Sequence, residues 1–135
     1  MTYEDLKNYL GMKAEVQAIN DEIDYWETYV ITVKYEEKGG SSGHESNPTK
    51  QAVDHLIELR ERLATKKDLL VQRTLEIEEW IDSLQDKEVS AIIRYHFIMG
   101  KTWRETTKKV YGYADWSLSQ WKIRNHFGLT KLKDS

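Results

Sequence analysis

The chain has no cysteine, a single proline and no long apolar run. Without thiols there is no disulfide and no thiolate metal site, a composition suited to a reducing cytoplasm. With proline confined to Pro48, little in the chain interrupts a helix elsewhere. No apolar stretch approaches the roughly 18 residues that span a bilayer. The start, Met1-Thr2-Tyr3-Glu4-Asp5-Leu6, is acidic and helix-forming where a signal peptide is basic and then apolar. Glycine is also scarce. Gly39, Gly40 and Gly43 share one polar stretch and lack the Lys-Ser/Thr and strand context of a phosphate-cradling loop. His44, His55, His96 and His126 show no ligand spacing such as His-x-x-x-His, so neither a metal nor a cofactor is expected.

What is present is helix periodicity. Tyr9, Met12, Val16, Ile19, Ile23, Trp26, Val30 and Val33 recur at alternating threes and fours, a heptad seam over more than three repeats. The segment 29–35, YVITVKY, is rich in β-branched residues and could favour a strand, but the seam runs through it and predicts helix. A loop over 38–48, with the glycines and Asn47-Pro48, ends this helix, and Thr49 is placed to cap the next. Leu56, Leu63, Leu70, Ile77, Ile81 and Leu84 form the second seam, interrupted by Arg60 and Lys67. Ile57, Leu59, Leu69, Val71, Leu75 and Trp80 fall off that seam. A two-helix hairpin has one thin interface, so these side chains are expected to stay wet. That predicts an oligomerisation surface through Ile57, Leu59, Leu69 and Leu75, with a dimer as the expected assembly. The competing expectation is that they pack back on the rest of the chain, Trp80 first because it lies nearest. The run Glu76, Glu78, Glu79, Asp82 reads as a solvated helix face rather than a catalytic cluster.

Charge divides the chain at residue 85. The first 85 residues carry 10 Lys+Arg against 18 Asp+Glu, and residues 86–135 carry 10 against 5. A basic end on a near-neutral chain points to an anionic partner for that end alone. Its punctuation is that of short helices. Asp86 is placed to cap a helix through Met99, with Val89, Ile92, Ile93 and Phe97 on one face and Gly100 at the stop. Thr102-Trp103-Arg104-Glu105 fits a capping box that opens a helix to Val110, stopped by Tyr111-Gly112-Tyr113. Ser117-Leu118-Ser119-Gln120 is a second such box, opening a helix to Phe127 with Gly128 behind it. Three short helices, the last two joined by a Gly-containing turn, predict a helix-turn-helix.

In such a motif the last helix reads base edges, and Ser119, Gln120, Lys122, Ile123, Arg124 and Asn125 are the candidates. Thr102, Arg104, Lys108 and Lys109 on the preceding helix, with Lys131 and Lys133 in the tail, are the candidate phosphate contacts. The last helix has two apolar edges, and only one can face the core. With Leu118 and Trp121 inside, Gln120, Ile123 and Arg124 face the groove. With Ile123 and Phe127 inside, Trp121, Lys122 and Asn125 face out. The first arrangement is preferred. Against all this stands the plain alternative of a small three-helix unit with a solvated charged face.

The stretch 94–113, RYHFIMGKTWRETTKKVYGY, resembles the sigma-70 region-4-like helix-turn-helix. More closely, it resembles the small phage and prophage transcriptional regulators of Gram-positive bacteria, of the late-gene regulator type. Arg94-Tyr95, Gly100, Thr102-Trp103, Glu105 and Gly112 carry the resemblance in order. Thr106-Thr107 stand where those proteins usually have Ile-Ala, and the aromatic turn through Ala114-Asp115-Trp116 also departs from them. The expectation is an all-α chain: a helical hairpin or coiled-coil arm over 1–85, then a three-helix DNA-binding domain over 86–135. The resemblance implies a non-enzymatic, sequence-specific regulator on double-stranded DNA in a bacterial cytoplasm, phage-encoded and without a membrane. Two other readings stay open. One is a small terminase-like DNA packaging protein. The other is a module docking on RNA polymerase without reading DNA.

Overall fold

The computed structural model describes residues 1–38, 47–113 and 115–129. Among them the chain is all-helical, with no strand. The elements are α1 (Tyr3–Lys38), α2 (Asn47–Asp82), α3 (Lys87–Ile93) running into a π-helical stretch (Arg94–Ile98), α4 (Trp103–Tyr111) and α5 (Trp116–His126). None of these helices is long and apolar enough to cross a membrane. Most of the expected Gly/Ser loop, and the candidate contacts Lys131 and Lys133, lie outside the described residues.

The chain forms two compact units, one of Gly11–Val71 and one of Met1–Leu10 with the chain from Gln72 onward. Neither boundary falls at residue 85. In the first unit α1 and α2 pack on each other through Ile19, Ile23, Val30, Ala52, Leu56 and Leu59, with Trp26, Tyr29, Val53 and Leu63 against that core. Segment 29–35 is helical as the heptad requires, because Val30 is buried on the seam. The pairs Glu15–Lys66 (2.7 Å) and Glu22–His55 (3.3 Å) run in opposite chain directions, so the two helices are antiparallel. Such exposed pairs fix register more than they stabilise. Leu59 is 2% exposed and belongs to this core, so it is not available as an oligomerisation contact. Arg60 and Lys67, expected within the second seam, are exposed. Ile57 and Leu69 remain half-exposed as expected.

The second unit shows why the boundary shifts. Three short helices cannot enclose a core by themselves. The ends of the long helices complete it with Leu6, Tyr9, Ile77 and Ile81, packed into one unit with Val89, Ile92, Ile93, Phe97, Trp103 and Ile123. Tyr3 meets Phe97 edge-on at 6.2 Å, and the Tyr9 hydroxyl bonds the Thr74 hydroxyl at 2.8 Å. Trp80 stacks on Phe127 at 6.3 Å and 26°, so it does pack back on the basic segment. Leu75 stays exposed. The acidic run has structural work. Arg94 pairs with both Glu78 and Asp82, the latter at 2.7 Å, while Glu76 takes Arg73 at 2.8 Å.

This regrouping changes the electrostatics. The whole second unit carries 12 Lys+Arg against 11 Asp+Glu, so its cationic character is a matter of placement rather than net charge.

Candidate nucleic-acid interface

Each short helix of the second unit is closed by its own local chemistry. Asp86 caps α3, its Oδ1 accepting from the Glu88 and Val89 amides at 3.0 and 3.2 Å. The helix then widens: the Met99 amide bonds the Arg94 carbonyl at 2.9 Å, five residues back. His96 donates from Nδ1 to the Lys101 carbonyl at 2.8 Å and stacks on Trp103 at 3.7 Å. The expected capping box opens α4. Thr102 Oγ1 accepts from the Glu105 amide, and Glu105 returns a carboxylate oxygen to the Thr102 amide, both at 3.1 Å. Those bonds hold the Glu105 carboxyl below its ordinary value. Gly112 stops α4 at φ 86°, a left-handed conformation costly for any residue with a Cβ.

The second expected box is not the one used. Asp115 caps α5, accepting at Oδ1 from the Ser117 amide (3.1 Å) and hydroxyl (2.6 Å), and the helix begins at Trp116. With the cap two residues earlier, Ser119 is an interior position. It is fully buried, bonded to the Thr107 hydroxyl at 2.5 Å. Thr107 donates to the Trp103 carbonyl at 2.9 Å, so Ser119 is the donor between the two hydroxyls. Thr107 therefore joins α4 to α5 through a buried polar bond, whereas the neighbouring Thr106 is fully buried with its hydroxyl unpartnered among the described residues.

The pair supplies a test. Thr107→Val should destabilise the chain by about 1–3 kcal/mol, because it strands the buried Ser119 hydroxyl. Adding Ser119→Ala should recover a large part of that loss. A double-mutant cycle by urea denaturation measures it, and additive losses would count against the bond.

Ile123 is fully buried, whereas Trp121 is 49% exposed, so α5 uses the opposite edge to the one preferred from sequence. Ser119 and Ile123 are core residues and cannot reach a base. Gln120 is half-buried, its Nε2 shielded and without a hydrogen-bond partner among the described residues. Lys122 is held too. Its Nζ lies 3.0 Å from Asp86 and 3.3 Å from Glu88, bonds that raise its pKa. Tyr111 donates its hydroxyl to the same Glu88 carboxylate at 3.1 Å, and burial, then that bond, pushes it up to about 12. Burial would raise Asp86, but the Lys122 bond and the capped amides outweigh it and leave its pKa lowered. This Asp86–Lys122–Glu88–Tyr111 network ties α5 and the end of α4 to the start of α3. Sequence spacing gave no sign of it, since its members are up to 36 positions apart.

Outward on α5 are Trp116 and Ser117 in the first turn, then Trp121, Asn125 and His126, with Leu118 and Arg124 half-buried. Of the candidate base contacts, Asn125 is exposed and Arg124 is half-buried. On α4, Arg104, Lys108 and Lys109 are exposed, and none of these three cations, nor Arg124, enters an ion pair among the described residues. Thr102 is exposed with its oxygen engaged in the cap. Cations and a neutral helix face thus remain accessible in one compact unit. No protein-family profile matches the chain, and no curated protein or solved structure matches it at a significant level.

Proposed function

We propose that this chain is a sequence-specific DNA-binding transcriptional regulator of the phage or prophage type, acting on double-stranded DNA as a homodimer joined through its helical arm. One observation carries the reading. Two short helices, joined through a left-handed glycine, bury one face of α5 and leave the other open within reach of solvent. Arg104, Lys108, Lys109 and Arg124 supply positive charge in the same unit that no ion pair among the described residues neutralises. That combination suits a major-groove helix positioned by phosphate contacts. The half-exposed Ile57 and Leu69 and the exposed Leu75 support assembly through the arm. A two-fold dimer would set half-sites about 34 Å, or a multiple, apart.

A second reading draws on a specific observation as well. Met99, Tyr113, Trp116 and Trp121 are all about half exposed, and exposed aromatics suit docking on a protein such as RNA polymerase.

Fluorescence anisotropy on duplex DNA across about 50 to 200 mM salt separates the two. Under the DNA reading, Lys108→Ala and Lys109→Ala each weaken binding to all sequences and lower the salt slope by about one. Absence of binding at low salt would overturn it and direct the search to RNA polymerase.

A further inference from the structure

We infer that the outward face of α5 reads thymine, through contact of Trp121 with the 5-methyl group, and the paired adenine through Asn125. This rests on the DNA reading and specifies what that surface can recognise.

The argument is one of elimination along a single helix. A guanine is most often read by an arginine or lysine reaching its O6 and N7. On α5 the cations are not central. Lys122 is pinned by Asp86 and Glu88 at 3.0 and 3.3 Å, and Arg124 is half-buried at the edge. The middle of the face is Trp121, 49% exposed, with Asn125 one turn on and Leu118 one turn back. The Asp86–Lys122 pair and His126 border Trp121 and Asn125 on one side, the two charges of that pair offsetting each other.

In the major groove the base-edge feature that suits an apolar side chain is the thymine methyl, and an Asn amide matches adenine N6 and N7 in bidentate fashion. Both belong to T·A pairs. The affinity for DNA as such comes from elsewhere, from the exposed Arg104, Lys108 and Lys109 on α4. Affinity and discrimination therefore reside on different helices. An apolar reader alone would slide among sequences. An amide one turn away fixes its register.

The test uses the full chain. Duplexes are enriched from a random library at about 150 mM salt, a near-physiological ionic strength. Each thymine of the best duplex is then replaced in turn by deoxyuridine, which lacks only the methyl. At one or two positions affinity should fall about fourfold, the worth of one buried methyl. Trp121→Ala should bind the thymine and deoxyuridine duplexes equally, with its circular dichroism unchanged. If no thymine is sensitive in an enriched duplex, the inference fails and DNA binding stands. If no duplex is enriched, both fail together.

Discussion

Replacing Phe97 by alanine should cost the folded chain roughly 3–5 kcal/mol. Phe97 is 1% exposed and sits among rings from different parts of its unit. Tyr3 and Trp103 meet it edge-on, each at 6.2 Å, and His96 lies perpendicular at 4.8 Å. Edge-to-face rings add to area burial, and the tight neighbours cannot collapse into the space left behind. Ile92, Ile93 and Val89 on the same helix are equally buried, so the void would open at the centre of the unit. The exposed Leu75 is the control, and its change to alanine should stay within about 0.5 kcal/mol. Urea denaturation followed by circular dichroism gives both numbers. A loss below about 1 kcal/mol at Phe97 would mean that the unit is not built around it. Tyr3 makes this more than a local matter: the first residues of the chain complete the core of a segment that begins more than eighty residues later.

The heptad of α1 was legible because its positions from Tyr9 to Val33 recur without a break, and all are buried or half-buried. The seam of α2 was only half legible. Counting sevens from Leu56 finds Leu63, Leu70 and Ile77, but a heptad has two apolar positions, and the second runs Leu59, Lys66, Arg73, Trp80. Two of those four are basic, so Leu59 looked stranded. Lys66 and Arg73 instead reach Glu15 and Asp5 at 2.7 and 3.7 Å, and Leu59 stays in the core. Caps were legible where the sequence offered one candidate, as at Asp86 and Thr102. Where Asp115 competes with Ser117, the aspartate opens the helix two residues earlier and takes the Ser117 amide and hydroxyl itself, so Ser117 is not the cap. The boundary at residue 85 came from charge. Charge reports on partners rather than on which helices share a core.

The face that α5 buries is opposite to the one its sequence favours, and it defines the sharpest contrast. Ile123→Ala should destabilise the chain by roughly 2–5 kcal/mol, and Trp121→Ala, which loses contacts on only one side of the ring, by about 1–2 kcal/mol. Two residues apart on one helix, the side chains point about 200° apart, so each test excludes the other outcome. Ile123 is fully buried, beside the Thr107–Ser119 bond that closes α4 on α5. Trp121 keeps nearly half its surface in water. Periodicity alone could not choose, since both edges of the helix carry apolar groups at three- and four-residue spacing. The choice is made by what α5 must cover. Thr107 offers a small, polar, buried partner, and only Ser119 on the Ile123 side can meet it. Seating Trp121 there would strand that hydroxyl and leave Ile123 in solvent. Function should divide along the same line. Trp121→Ala would leave a folded chain that has lost discrimination among duplexes, whereas Ile123→Ala would lose binding only in proportion to the fraction unfolded. A larger loss of stability from Trp121→Ala than from Ile123→Ala would return α5 to the opposite orientation, with Gln120, Ile123 and Arg124 toward the groove.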